Sequence, residues 1–60
     1  MERAVNDREA AKILGLAIQT LRNWRHNRKG PPYIKLGESV WYQVRDLLEY
    51  MENCKIRLDV

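Results

Sequence analysis

Ala10-Ala11-Lys12-Ile13-Leu14-Gly15-Leu16-Ala17-Ile18-Gln19-Thr20-Leu21 is the stretch that decides how this chain folds. Apolar residues recur at helical spacing as far as Leu14. Gly15 is placed to close that helix in a left-handed conformation, and apolar periodicity resumes at Ile18. Leu16 and Ala17 leave room only for a tight corner. Upstream, Asn6-Asp7-Arg8-Glu9 has the form of a capping box, with Asn6 able to accept from the Glu9 amide and Glu9 reaching back. The predicted unit is a helix over residues 7–14 and a second over 18–27, joined as a helix-turn-helix.

Working outward, Gly30-Pro31-Pro32 is expected to stop the second helix, because proline removes a backbone donor and forces the preceding residue toward extended geometry. Arg28-Lys29 suits that helix's negative end. Tyr33-Ile34-Lys35-Leu36 and Val40-Trp41-Tyr42 are rich in strand-forming residues and are separated by Gly37-Glu38-Ser39, the pattern of a hairpin over residues 33–42. Val44, Leu47, Leu48 and Met51, with Tyr50 beside them, predict a third helix over 44–53 that closes the core. The tail, residues 54–60, alternates polar and apolar side chains from Lys55 to Val60. It is a candidate strand, packed on the domain or offered to another chain. The fold class is α+β, mostly α: one domain over residues 1–60 with three short helices and a two-stranded hairpin wing.

Composition excludes several functions. A chain of 60 residues buries only about 60% of the surface its unfolded form exposes, which leaves little interior for an enclosed active site. One His, one Cys and Ser39 lie too far apart in sequence to suggest a nucleophile, a base and an orienting group, so no enzyme is expected. A single Cys makes no internal disulfide, and one Cys with one His falls short of a zinc site, so neither a metal nor another cofactor is expected. No apolar run approaches the roughly 20 residues of a membrane span, and Met1-Glu2-Arg3 is not followed by the continuous apolar stretch of a signal peptide, so neither is expected. The expected setting is a reducing cytoplasm, with neither a membrane nor a small-molecule ligand as partner.

Charge is segregated along the chain. Between Glu9 and Glu38 there is no acid, while Lys12, Arg22, Arg25, Arg28, Lys29 and Lys35 give that stretch +6. The remaining residues carry five cations against eight acids, a balance of −3. A cationic surface on one element of a small protein is the electrostatic footprint of a polyanion binder. The helical projection sharpens this reading. With Leu21 at the centre of the buried stripe, Ile18, Trp24 and Arg28 fall within roughly 60° of it, whereas Gln19, Arg22, Asn23 and His26 fall roughly 100° to 200° away. That outer face is wholly polar, lacks acids, and carries side chains suited to base edges: arginine for guanine, glutamine and asparagine for adenine.

Gln19, Arg22, Asn23 and His26 are therefore the candidate base contacts in a major groove of duplex DNA. Thr20, Arg25, Arg28, Lys29, Lys35 and Arg45 are the candidate phosphate contacts. About five neutralised phosphates imply a slope of log affinity against log salt of about −4.5. Trp24 lies on the buried stripe and is expected as a core anchor, since stacking on a base needs an exposed ring. Tyr33 and Tyr42 are expected as hairpin aromatics and Cys54 as a semi-buried thiol. Trp41 stands open between core and interface, and with Ile56 and Leu58 is a candidate protein–protein contact.

Four blocks in fixed order carry a family resemblance: Arg8-Glu9-Ala10-Ala11-Lys12-Ile13-Leu14-Gly15-Leu16, Thr20-Leu21-Arg22-Asn23-Trp24-Arg25, Gly30-Pro31-Pro32-Tyr33-Ile34-Lys35-Leu36-Gly37, and Tyr42 with Asp46-Leu47. From Val5 to Met51 the chain resembles the excisionase-type and AlpA-like group of MerR-related winged helix-turn-helix proteins. The resemblance implies a small accessory DNA-binding protein of a phage or other mobile element in a bacterial host. One role in that group is to bind and bend attachment-site DNA for an integrase. The other is to regulate transcription of integration genes. It also implies several copies side by side on DNA, with an integrase as a further partner. Five positions depart from the group's pattern: Ala17 replaces a capping Ser, Glu38, Ser39 and Trp41 stand where a wing commonly carries Arg, and Arg45 replaces a frequent capping Ser. A different class, a protein-interaction module on the same frame with Trp41 and the tail as its surface, stays open at this point.

Overall fold

The computed structural model describes residues 3–56 and 58. The order of elements is β1 (Ala4–Asn6), α1 (Asp7–Leu14), α2 (Ile18–His26), β2 (Ile34–Leu36), β3 (Ser39–Gln43) and α3 (Val44–Asn53). This is the expected α+β winged helix-turn-helix with one strand more than the sequence predicted. The sheet is antiparallel in the order β1-β3-β2, so the wing's returning strand, β3, is the centre of a three-stranded sheet. β1 has only three residues, too few for a period of two to show in sequence.

Local chemistry sets the helix boundaries. Asn6 Oδ1 accepts from the Glu9 amide at 2.9 Å and starts α1. α1 closes with Gly15 at φ 71°, whose amide donates to the Lys12 carbonyl at 3.2 Å, while the Leu16 amide donates to the Ala11 carbonyl at 2.9 Å. This is the paired closure of a Schellman motif. α2 starts at Ala17 without a side-chain cap, as the absence of a hydroxyl there requires.

The second helix ends one residue short of the expected limit, and not because of the prolines. Arg28 turns left-handed at φ 58°, its amide donates to the Arg25 carbonyl at 3.1 Å, and the Lys29 amide donates to the Trp24 carbonyl at 2.8 Å. Gly30 then passes close to the Trp24 ring: a Cβ there would lie 2.9 Å from Trp24 Cε3.

The core is small and apolar, formed by Val5, Ala10, Ala11, Leu21, Tyr42 and Leu47. Alanines on α1 let it approach its neighbours closely, and Val5 pairs across the sheet with Tyr42. Trp24 is half-buried, packed on this cluster and tilted against Tyr50 with ring centroids 6.1 Å apart, so it anchors the edge of the core and not its centre.

Three expectations need correction. Leu48 and Met51 do not close the core: they are 55% and 44% exposed, because α3 turns a narrow stripe inward with Leu47 at its centre. Cys54 is exposed, since it lies at the end of α3 beyond the packed turn. The tail forms no strand at Lys55, Ile56 or Leu58, where no sheet edge pairs with it, while Arg57, Asp59 and Val60 lie outside the described residues.

Candidate nucleic-acid interface

α2 presents Gln19, Arg22, Asn23 and His26 to solvent, all four exposed. Leu21 is 1% exposed on the opposite side and fixes this rotation of the helix. Gln19 Nε2 donates to Asn23 Oδ1 at 3.0 Å, one turn along, which aligns the two amide side chains before any ligand arrives.

Arg22 is not a free cation. Its Nε donates to Asp7 Oδ2 at 3.0 Å, and its side chain remains 47% exposed. Asp7 sits in the first turn of α1, fifteen residues away in sequence, so the stretch that is acid-free in sequence meets an acid in space.

Arg25 occupies a different environment from the phosphate-facing one expected of it. Its Nη1 donates to the Tyr42 hydroxyl at 3.2 Å, its Nη2 lies 3.9 Å from the same Asp7 oxygen, and its guanidinium carbon stands 5.8 Å from the centroid of the Tyr33 ring. Tyr33 and Tyr42 rings are 6.0 Å apart. With its side chain 21% exposed, Arg25 ties α2 to the sheet and to α1. Tyr42 is thereby a core residue with a satisfied hydroxyl. The helical projection contains the signal for this: at about 100° per residue, Arg25 falls only about 40° from Leu21.

The closure of α2 at Arg28 changes where that residue points. On a continued helix it would lie over the buried stripe. With the left-handed turn it is exposed and joins Arg22, Arg25, His26 and Tyr33 around one concave, polar surface between α2 and the wing. Lys29 is exposed beside it.

On the wing, Lys35 pairs with Val40, which places both on the sheet face that carries Tyr42. Trp41 lies on the opposite face, paired with Ile34 and Asn6, half-buried and outside the core cluster. Thr20 is half-buried, and Arg45 is exposed in the first turn of α3. Ile56 and Leu58 are each 83% exposed.

Among the described residues, no group of three or more His, Cys, Asp or Glu is placed to hold a metal ion, and no helix is long and apolar enough to cross a membrane. Two short helices joined at a tight glycine corner and followed by a hairpin wing make this a helix-turn-helix protein, a class that binds DNA in a sequence-specific manner. The family model described as a helix-turn-helix domain matches residues 6–55, and the chain belongs to that family. No curated protein and no solved structure matches the chain.

Proposed function

We propose that this chain is an excisionase of a phage or other mobile element, of the MerR-related kind: a small protein whose copies bind side by side and bend attachment-site DNA so that an integrase can cut the element out. The observation that carries the DNA-reading part is the outward face of α2, where Gln19, Arg22, Asn23 and His26 are all exposed on a helix whose opposite side is locked by Leu21. The four blocks of residues shared with the excisionase-type and AlpA-like group support the rest.

In this reading α2 enters the major groove, its four outward residues meet base edges, and the wing lies along an adjoining phosphate strand. Arg28, Lys29, Lys35 and Arg45 neutralise phosphates, with Thr20 as a neutral contact near the start of α2. Arg25 acts through position: it holds α2 against the sheet and adds its field to the concavity. Four neutralised phosphates imply a slope of log affinity against log salt of about −3.6. A unit this small covers few base pairs, so adjacent copies supply the discrimination a single one lacks.

The test is a protection footprint over the attachment region of the element that carries the gene, together with a circular-permutation measurement of bending. Adjacent protected sites and an induced bend are the expected result. Protection confined to a promoter with no bend overturns the excisionase assignment in favour of an AlpA-like regulator. Failure to retard a random duplex even at low salt overturns the DNA reading altogether and leaves a protein-interaction module.

A further inference from the structure

Asp7 is an acid facing a surface that a polyanion is to occupy, which is costly unless the acid does something there. Two of its features bear on what that is. Asp7 is the first residue of α1, held in place by the Asn6 cap, so its carboxylate is fixed to a rigid element. One oxygen, Oδ2, takes the Nε of Arg22 at 3.0 Å and lies 3.9 Å from Nη2 of Arg25. Arginine presents two edges to a hydrogen-bonding partner, one made of Nε with a terminal nitrogen and one made of the two terminal nitrogens. A carboxylate that engages Nε directs the terminal edge away from itself, and the Arg22 side chain is 47% exposed. The terminal pair is the edge that meets guanine O6 and N7.

We propose that Asp7 is a specificity-determining positioning residue: by engaging Arg22 Nε from α1, it pre-orients the terminal edge of that arginine toward one base and limits its use as an indiscriminate phosphate clamp. This rests on the DNA reading given above. Asp7 touches no base. It restricts the rotamers of a long side chain before binding, which lowers the ordering cost of the contact, and it repels phosphate from the same spot. Arg25 supports the arrangement by lying beside the same oxygen while donating to Tyr42.

The competing account is that Asp7 merely occupies Arg22 until a phosphate displaces it. The two differ in what its removal does to base preference. Glu38 provides the control, because it lines the same cleft as Asp7, Arg22 and Arg25, while the carboxylate on Arg22 Nε is that of Asp7. Asp7→Asn and Glu38→Gln each remove one negative charge from this cleft. The experiment selects a preferred duplex from a randomised pool with the unaltered protein. It then titrates that duplex, single-base variants of it, and a random duplex with each variant and with Arg22→Ala, alone and combined with Asp7→Asn.

Both charge removals are expected to tighten random-duplex binding by about threefold at low salt. Only Asp7→Asn is expected to lower the preference at the base read by Arg22, by about threefold or more. In the Arg22→Ala background, Asp7→Asn should change no base preference. In the free protein, the Arg22 Hε resonance should be protected from solvent exchange and lose that protection in Asp7→Asn. A thermal melt of each variant separates any loss of fold from loss of reading. Unchanged base preference in a folded Asp7→Asn protein, with the random duplex bound more tightly, overturns the positioning role and leaves charge competition. No binding of any duplex by the unaltered protein overturns the DNA reading instead.

Discussion

The two helices of the helix-turn-helix end in the same hydrogen-bonded turn built from opposite materials. At the end of α1, Gly15 takes the left-handed position at φ 71°, with Gly15 to Lys12 and Leu16 to Ala11 as the closing pair. At the end of α2, the same position is held by Arg28 at φ 58°, with Arg28 to Arg25 and Lys29 to Trp24 as the closing pair. Glycine adopts this conformation freely, whereas an L side chain there is strained by about 1 kcal/mol. The first turn sits at the internal corner and follows the rule for stability. The second sits beside His26 and Arg22 on the proposed DNA surface, and there the chain keeps a cation where glycine would fold better. Departure from a local rule at a functional surface is what a trade of stability for binding looks like.

The comparison can be broken at several points. The largest effect is expected at Gly30, where a methyl group would meet the Trp24 ring at 2.9 Å on a backbone already at φ 92°. Gly30→Ala should lower unfolding free energy by about 2 kcal/mol or more, measured by denaturant titration. Gly15→Ala comes next. Nothing lies within 4 Å of the added Cβ, so the loss is conformational strain alone, about 1 kcal/mol. Arg28→Gly should act in the opposite sense on the fold, raising stability by about 0.5 to 1 kcal/mol while weakening duplex binding and making its salt slope shallower by about 0.9. Equal stability of Arg28→Gly and the unaltered protein would show that the second turn is not strained, and the contrast would fail.

Much of this architecture is legible in the sequence, and the parts that are not have identifiable physical causes. The limits of α1 and α3 follow from the Asn6 cap, Gly15 and the apolar spacing of Val44 and Leu47, all of which are local signals. β1 is not legible because its three residues acquire meaning only by pairing with β3. The rotation of α2 is readable from Leu21, and the same projection carries Arg25 toward the core, so its role against Tyr42 is available to a complete reading of the wheel. The Asp7 to Arg22 bond is beyond it, because charge tallied along the chain says nothing about which element a carboxylate will fold against. Trp41 shows the same limit: its place on the far face of the sheet is fixed by register with Asn6 and Ile34.

The central claim is that the outward side of α2 reads bases while the residues around it hold phosphates. Its most direct test is a paired titration of Arg22→Ala and Lys29→Ala against a selected duplex and a random one across a range of salt. Arg22→Ala is expected to cost about 1 to 3 kcal/mol on the selected duplex, with relaxed preference at one base step. Lys29→Ala is expected to weaken both duplexes alike and to reduce the salt slope by about 0.9. Identical effects of the two substitutions on both duplexes would contradict the account.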